Sequence, residues 1–349
     1  MVMKKILIII DGMDDEPSEV LGCKTPGNVA FMPGLDFMRE NGCVRMVTTI
    51  PHGNLPSSET AILNILGNHV EPGFSGRTWL EAIGSGIEVE SSDTCMRCNL
   101  IKIENNAIVS HCCDDLSEDE AINIIHLLNR CFGSDTISFH YGGGYRNLLV
   151  IKDCKHDVHA SPVHELLGLD ASALTVTSKD RDLQVALNHI IFHSRELLSD
   201  SSTGANGIAL WSPGRKPAMG FRQIQGTVVA GTNLVKGIGK ACGMTVSDVV
   251  GATGDCHTDY SAKLESALAA LDRDGFVLLH IEAADEASHL RNPDKKVEIL
   301  EEIDRYVISP LLKCGKDLEI TVQADHATSS VTGRHLDRPV EVVTYVLNK

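Results

Sequence analysis

The chain has 349 residues, which at about 150 residues per domain favours two domains and leaves enough sequence for a large core. Charged residues make up 22% and apolar ones (AVILMFWYC) 43%, with 30 glycines and 12 prolines, a composition that excludes disordered and collagen-like classes. With 31 basic against 47 acidic side chains the net charge is −16. That argues against nucleic acid and anionic membranes as general partners, and a small anionic substrate would need a locally positive site built from metal ions or a few focused Arg and Lys residues.

The first apolar run, residues 5–10, reads as a buried strand stopped by Asp11-Gly12. Behind Lys4 and Lys5 it offers five apolar residues, short of the about seven to fifteen of a secretory segment, so no signal peptide is expected. No later stretch approaches the about 18 apolar residues of a membrane span. A helix is expected at 35–40 and a strand at 43–50. A second helix should begin within Pro56-Ser57-Ser58-Glu59-Thr60-Ala61, carry Ile62, Ile65 and Leu66 on its apolar face, and stop at Gly67. From about 89 to 204 the signals for alternating strands and helices weaken, with a Gly142-Gly143-Gly144 loop and a Ser-rich stretch at 199–203 that reads as a linker. Alternation then resumes: an apolar, β-branched run at 227–230, helical spacing at 261–272, a strand at 276–281, an amphipathic helix at 297–312, and strands at 319–324 and 340–347. Strands alternating with helices argue for an open α/β sheet with ligands at the carboxyl ends of its strands. The expected organisation is a discontinuous core, residues 1–88 and 205–349, interrupted by a smaller α/β domain at 89–204. Eleven cysteines, an odd number without a paired framework, read as reduced thiols of a cytoplasmic protein.

Three of these strands run into carboxylates: Asp11 after the first, Glu282 and Asp285 after 276–281, and Asp325, followed at once by His326, after 319–324. If the strands are neighbours in a parallel sheet, the carboxylates emerge on one edge, where repulsion is costly without cations. His289 lies one helical turn beyond Asp285, and His335 follows Asp325 in the loop before the last strand. Each aspartate taken singly reads as a cap or turn residue. Taken jointly, Asp and His at several strand ends form a metal-ligand inventory with room for two ions, suited to manganese, with zinc or magnesium as alternatives.

Ser58 opens a helix, where backbone N–H groups and the helix dipole favour an anion, and a hydroxyl deprotonated by a metal there can attack phosphorus. The plainer reading is an N-cap. No reciprocal capping box supports it, because the residue three positions on is Ala61.

Asp11-Gly12, Gly22-Cys23-Lys24-Thr25-Pro26, the Pro56 to Ala61 run, Gly76-Arg77, Arg97-Cys98-Asn99, Gly251-Ala252-Thr253-Gly254, Ala284-Asp285-Glu286-Ala287-Ser288-His289 and Asp325-His326-Ala327-Thr328 with His335 together resemble the cofactor-independent phosphoglycerate mutases. The similarity is to their shorter archaeal-type branch, which includes proposed homoserine kinases and belongs to the alkaline phosphatase superfamily. It spans nearly the whole chain. It implies an alkaline-phosphatase-like three-layer α/β sandwich with an inserted smaller α/β domain. It also implies one divalent ion on Asp285, His289 and His335, and another on Asp11, Ser58, Asp325 and His326. Ser58 would be the phosphorylated nucleophile, passing the phosphoryl group between the hydroxyls of a retained glycerate and so interconverting 2- and 3-phosphoglycerate in glycolysis.

The departures from the family pattern fall on the substrate side. Ser57-Ser58-Glu59 stands where the family usually has Gly-Ser-Asp, Ile62 replaces a later His or Asn, His111-Cys112-Cys113-Asp114-Asp115 replaces a basic stretch, and a basic loop is shortened between Ser194 and Asn206. Arg77, Arg97, Arg146 and Lys236 remain as candidate substrate contacts. Since selectivity rests on contacts to the transition state, the expectation is that phosphoryl transfer survives while mutase activity is weak beside that on another small phosphorylated metabolite. A homoserine kinase-like enzyme is the alternative. A degenerate metal-binding protein is disfavoured, because it would not need both the ligands and a nucleophile. Self-association is left open. Two lesser signals are a zinc site from Cys95, Cys98, Cys112 and Cys113, with poor ligand spacing, and a dinucleotide loop at Gly237-Ile238-Gly239, which lacks the full glycine pattern.

Overall fold

A computed structural model describes residues 3–113, 116–199 and 204–348. The chain divides into two compact units, Met1–Phe74 with Met219–Lys349, and Ser75–Ala218. The second is larger than the 89–204 expected. The helix Arg77–Gly84 belongs to it, packing on the strands Thr94–Glu104 and Gly207–Gly214, with Thr78 Oγ1 donating to the Ser212 carbonyl at 2.5 Å. Of the serine-rich stretch expected as a linker, residues 200–203 lie outside the described residues, as do Asp114 and Asp115. No described helix is long and apolar enough to cross a membrane.

The first unit is built on a seven-stranded sheet. Thr245–Ser247, Thr227–Val229, Phe276–Ile281, Lys4–Ile10 and Leu318–Gln323 lie parallel in that order, and Val340–Leu347 and then Cys43–Val47 join by antiparallel pairing. The central strands read as continuous apolar runs because both faces are covered. On one face Ile6, Ile8 and Ile10 share a hydrophobic cluster with Leu35 and Met38, with Leu264 and Leu271, and with Ile299 and Ile303, from three separate helices. On the other, Val228 meets Gly239 of the helix Asn233–Ala241, close enough that a Cβ on Gly239 would collide with it. This close packing accounts for Gly239, which lies inside a helix and forms no phosphate loop. Helix, sheet and helix make the expected three layers.

The amphipathic helix begins earlier than expected, at Pro293, where the Asn292 side chain caps it, and it runs as Pro293–Ile303 into a π-helical turn, Asp304–Ile308. The turn has a use. Its buried Asp304 carboxylate accepts from the backbone N–H groups of Gly34 and Leu35 at 3.0 and 2.8 Å, satisfying the first turn of the helix Pro33–Asn41.

The inserted unit has a five-stranded antiparallel sheet. Thr94–Glu104 pairs with Ala107–Ser110, Arg146–Ile151 and Gly207–Gly214, and Ile137–His140 lies beyond Arg146–Ile151. The helices Glu118–Phe132 and Arg181–Leu197 share its apolar core. The first of these carries a complete capping box from Ser117 and Glu120. Cys95 and Cys98 lie three apart on one strand, so they point to opposite faces. Burial pushes the Cys95 thiol up to about 12, away from the thiolate that zinc binds, and among the described residues no group of clustered metal donors includes a cysteine.

Back in the first unit, Lys296 and Asp15 form a wholly buried ion pair, Nζ to Oδ2 at 2.9 Å. Lys296 also donates to the Thr328 carbonyl at 2.9 Å, and Asp15 accepts from the Ser330 N–H at 3.1 Å. The pair ties together the loops that follow the two central strands. Removing one partner of such a pair leaves a buried charge without its counterion, so Lys296→Met should cost about 3–5 kcal/mol of stability. Urea denaturation measures this, and a loss under about 1 kcal/mol would contradict the assignment.

Candidate active site

The strands Phe276–Ile281, Lys4–Ile10 and Leu318–Gln323 are neighbours, and their carboxyl ends bring Asp285, Asp11 and Asp325 together. Asp11 is anchored by its N–H, which donates to the Ile281 carbonyl at 2.8 Å. At Gly12, φ is +64°, and a Cβ there would stand 2.9 Å from Asp285 Cα. Only glycine takes this turn while letting the second carboxylate approach.

Asp285 lies in the first turn of the helix Ala283–His289, and one turn on His289 Nε2 reaches its Oδ2 at 3.0 Å. His335 Nε2 lies 3.7 Å from Asp285 Oδ1 and 3.2 Å from His289 Nε2. Both histidines have backbone carbonyls to receive an Nδ1 proton, Gly333 at 2.9 Å for His289 and Pro56 at 3.0 Å for His335. That arrangement aims both Nε2 atoms at Asp285, as second-layer hydrogen bonds do around bound metals.

The neighbouring group holds Asp11, Asp325, His326 and Ser58. Ser58 is the first residue of the helix Ser58–Ile65, and the N-cap position belongs to Ser57. The Ser58 hydroxyl therefore does not cap the helix. Its Oγ lies 3.2 Å from His326 Nε2 and 3.5 Å from Asp11 Oδ2. His326 Nε2 is 3.6 Å from Asp11 Oδ1 and 3.5 Å from Asp325 Oδ2. Thr328, which sequence reading quoted only as part of a motif, links the two groups. Its hydroxyl donates to Asp285 Oδ1 at 2.6 Å, so it accepts from His326 Nδ1 at 3.1 Å, an orientation that turns His326 Nε2 toward Ser58.

Burial, with Asp325, Asp285 and Glu282 adding repulsion, pushes the Asp11 carboxyl well above the ordinary carboxylate range. Burial would raise Asp285 too, but the hydrogen bond and charge of His289, helped by His326 and His335, hold it far below that range. The bond from Asp285 in turn raises His289 to about 9. Asp11 Oδ1 and Asp325 Oδ2 are buried without a hydrogen-bond partner. Among the described residues two groups offer donor atoms within 4.8 Å of one another, Asp285 with His326 and His335, and Asp11 with His280 and Asp325. Bare carboxylate oxygens beside imidazole nitrogens are a donor set that fits divalent metal ions. His280 was missed from sequence because it lies inside the apolar strand Phe276–Ile281. Only the period-two alternation, which puts it on the same face as Glu282, could have flagged it.

Three of the candidate substrate contacts, Arg77, Arg97 and Arg146, belong to the inserted unit. There, buried Glu81 takes a two-pronged contact from Arg97, with Nε to Oε2 at 2.8 Å and NH2 to Oε1, and a further bond from Arg77 Nε at 3.2 Å. Burial opposes a charge on Glu81, yet Arg97 and then Arg77 hold its pKa below the ordinary value. Arg97 also lies over the Trp211 ring at 4.8 Å, and Arg146 over Tyr145 at 4.9 Å. Lys236, in the first unit, pairs with exposed Asp248 at 3.4 Å. Glu81 went unnoticed in the sequence, although its position four residues after Arg77 is a helical ion-pair spacing.

A profile of the 2,3-bisphosphoglycerate-independent phosphoglycerate mutases matches residues 40–203. The 2,3-bisphosphoglycerate-independent phosphoglycerate mutase of Methanosarcina barkeri is 32% identical, covering 99% of this chain and 91% of its own length. The probable enzyme of that name from Geobacter sulfurreducens is also 32% identical, covering 98% of this chain and 90% of its own length. Among solved structures, the PH0037 protein from Pyrococcus horikoshii matches with a TM-score of 0.79 at 23% identity, covering 99% of this chain and 87% of that one. The cofactor-independent phosphoglycerate mutase from Thermoplasma acidophilum matches with a TM-score of 0.60 at 23% identity, covering 99% and 90%. These two likenesses establish the fold.

His289 yields a pH dependence. In the metal-free protein it keeps its proton up to about pH 9, and only the neutral ring can ligate. An ion binding beside Asp285 should therefore release a proton at neutral pH, and apparent affinity should fall by up to tenfold per pH unit below about 9. Calorimetry of Mn²⁺ binding in buffers of different ionisation enthalpy counts the proton. His289→Ala should abolish its release, and proton release unchanged in that variant would refute the assignment.

Proposed function

Because the chain belongs to the 2,3-bisphosphoglycerate-independent phosphoglycerate mutase family, we propose that it is a two-metal phosphotransferase that interconverts 2- and 3-phosphoglycerate through phospho-Ser58. The carrying observation is the Ser58 hydroxyl, free of any capping duty and set between His326 Nε2 and Asp11. Asp285, His289 and His335 would hold one ion, and Asp11, Asp325, His326 and Ser58 the other. Bound divalent ions supply a lowered pKa at the Ser58 hydroxyl and positive charge against the phosphoryl oxygens; Mn²⁺ suits the mixed donors, with Zn²⁺ or Mg²⁺ as alternatives. Ser58 Oγ then forms its bond to phosphorus as the bond from phosphorus to the substrate oxygen breaks, and the glycerate stays bound. In the second half, the other glycerate hydroxyl attacks the phosphoserine and Ser58 is released. The N–H groups of the helix's first turn lie beside this transfer and favour the negative phosphoryl group. This reading places the protein in glycolysis and in the cytoplasm.

Ser58→Ala should lower turnover by about 10⁴-fold or more, since groups that act as one catalytic unit fail together. The fold should be retained, because the substitution removes a hydroxyl that caps nothing and leaves the core volume unchanged. Mass spectrometry after incubation with substrate should find phosphate on Ser58; phosphate on Ser57, with Ser58→Ala still active, would reverse the assignment.

A second reading, transfer to another small hydroxy compound such as homoserine, is supported by Glu81, which already engages two of the arginines named as candidate substrate contacts. Assay of the metal-loaded protein against a panel of phosphorylated acids and alcohols separates the two. A kcat/KM for phosphoglycerate in the ordinary enzyme range, about 10⁴ M⁻¹s⁻¹ or more, supports the mutase, and a clearly higher value on another metabolite supports the second reading.

A further inference from the structure

His280 sits on the strand Phe276–Ile281 and is 1% exposed, yet neither of its ring nitrogens has a hydrogen-bond partner. Leaving a buried polar group unsatisfied costs about 1–3 kcal/mol, so a ring kept this way within the sheet calls for a partner. Two more polar atoms in the same state lie beside it, Asp11 Oδ1 and Asp325 Oδ2.

The sheet register explains why the three meet. Ile9 pairs with His280 on one side and with Gln323 on the other. Asp11 and Asp325 follow these pairs by two residues, so they return to the face on which His280 stands. His280 Nε2 is 3.5 Å from Asp11 Oδ2, and one donor atom from each of the three residues lies within 4.8 Å of the others. A single cation would take one donor atom from each of the three at once.

We propose that His280 is itself a metal ligand, contributing a nitrogen donor from the sheet to the ion held by Asp11 and Asp325, in addition to the Ser58 and His326 donors. The inference rests on the reading of this unit as a divalent-metal site and adds to it a residue outside the motifs that suggested it. It also accounts for an imidazole in the middle of the sheet, where an apolar side chain would pack without leaving two ring nitrogens unsatisfied.

The test compares wild type with His280→Leu, which keeps the bulk and removes both nitrogens. Mn²⁺ titration of the chelator-treated protein, followed by electron paramagnetic resonance, should show one ion bound as in wild type and the other weakened at least tenfold. The metal-free variant should unfold at the wild-type temperature or higher, while the rise in Tm on adding Mn²⁺ shrinks. A packing role would instead lower the metal-free Tm and leave both affinities alone, and that result would overturn the proposal. Should the variant fail to fold, Co²⁺-loaded wild type decides. Four contact-shifted imidazole rings, from His280, His289, His326 and His335, support the proposal, and three overturn it. Wild type that binds no Mn²⁺ overturns the metal reading as a whole, whereas two ions indifferent to His280→Leu overturn only this inference.

Discussion

Repulsion among buried carboxylates is the constraint around which the core unit is arranged. Three aspartates emerge from neighbouring strands into a region shielded from water. Two like charges 4 Å apart repel by about 4 kcal/mol at an effective dielectric constant of 20. The protein answers in two ways. At Asp285 it supplies His289 and His335, which hold the carboxylate ionised. At Asp11 burial, and then repulsion from Asp325, Asp285 and Glu282, raises the acid's affinity for its proton. One aspartate is thus held charged by its neighbours, and the other is held toward its protonated form.

The surroundings are built to hold this arrangement rather than relieve it. Lys296, buried against Asp15, fixes the backbone of the loop that carries Thr328, and Thr328 fixes the ring of His326 and one oxygen of Asp285. Thr49 caps the Asp325 carbonyl. Lys263, driven down to about 8 by burial, donates to the carbonyls of Thr253 and His280. Such a shell keeps donors at fixed separations before any ion arrives, which reduces the reorganisation that binding requires. In the inserted unit Glu81 plays the analogous part, locking two guanidinium groups in place at the expense of part of their charge.

The residues that the sequence exposed are those whose chemistry is at odds with their surroundings. Asp11 at the end of an isoleucine run, Asp-His after another apolar run and His289 one turn beyond Asp285 were legible because a carboxylate at the end of a buried strand is conspicuous by itself. Element positions followed from periodicity, and the last strand, Val340–Leu347, falls where the alternation put it. The edges of the inserted unit were less visible. The helix Arg77–Gly84 has the same amphipathic pattern whichever unit it packs on, so only its contacts assign it.

Sequence by itself determined the fold class, the strand ends that carry carboxylates and the serine that opens a helix, because each depends on local periodicity and on residue types that are costly to bury. Only the tertiary structure decided that Ser58 leaves the capping position to Ser57, that Thr328 joins the two ligand groups, that Glu81 engages both Arg77 and Arg97, and that His280 stands on the face of Asp11 and Asp325. Those facts depend on which strand lies beside which and in what register, and a register is set by the packing of the whole sheet rather than by any segment of it.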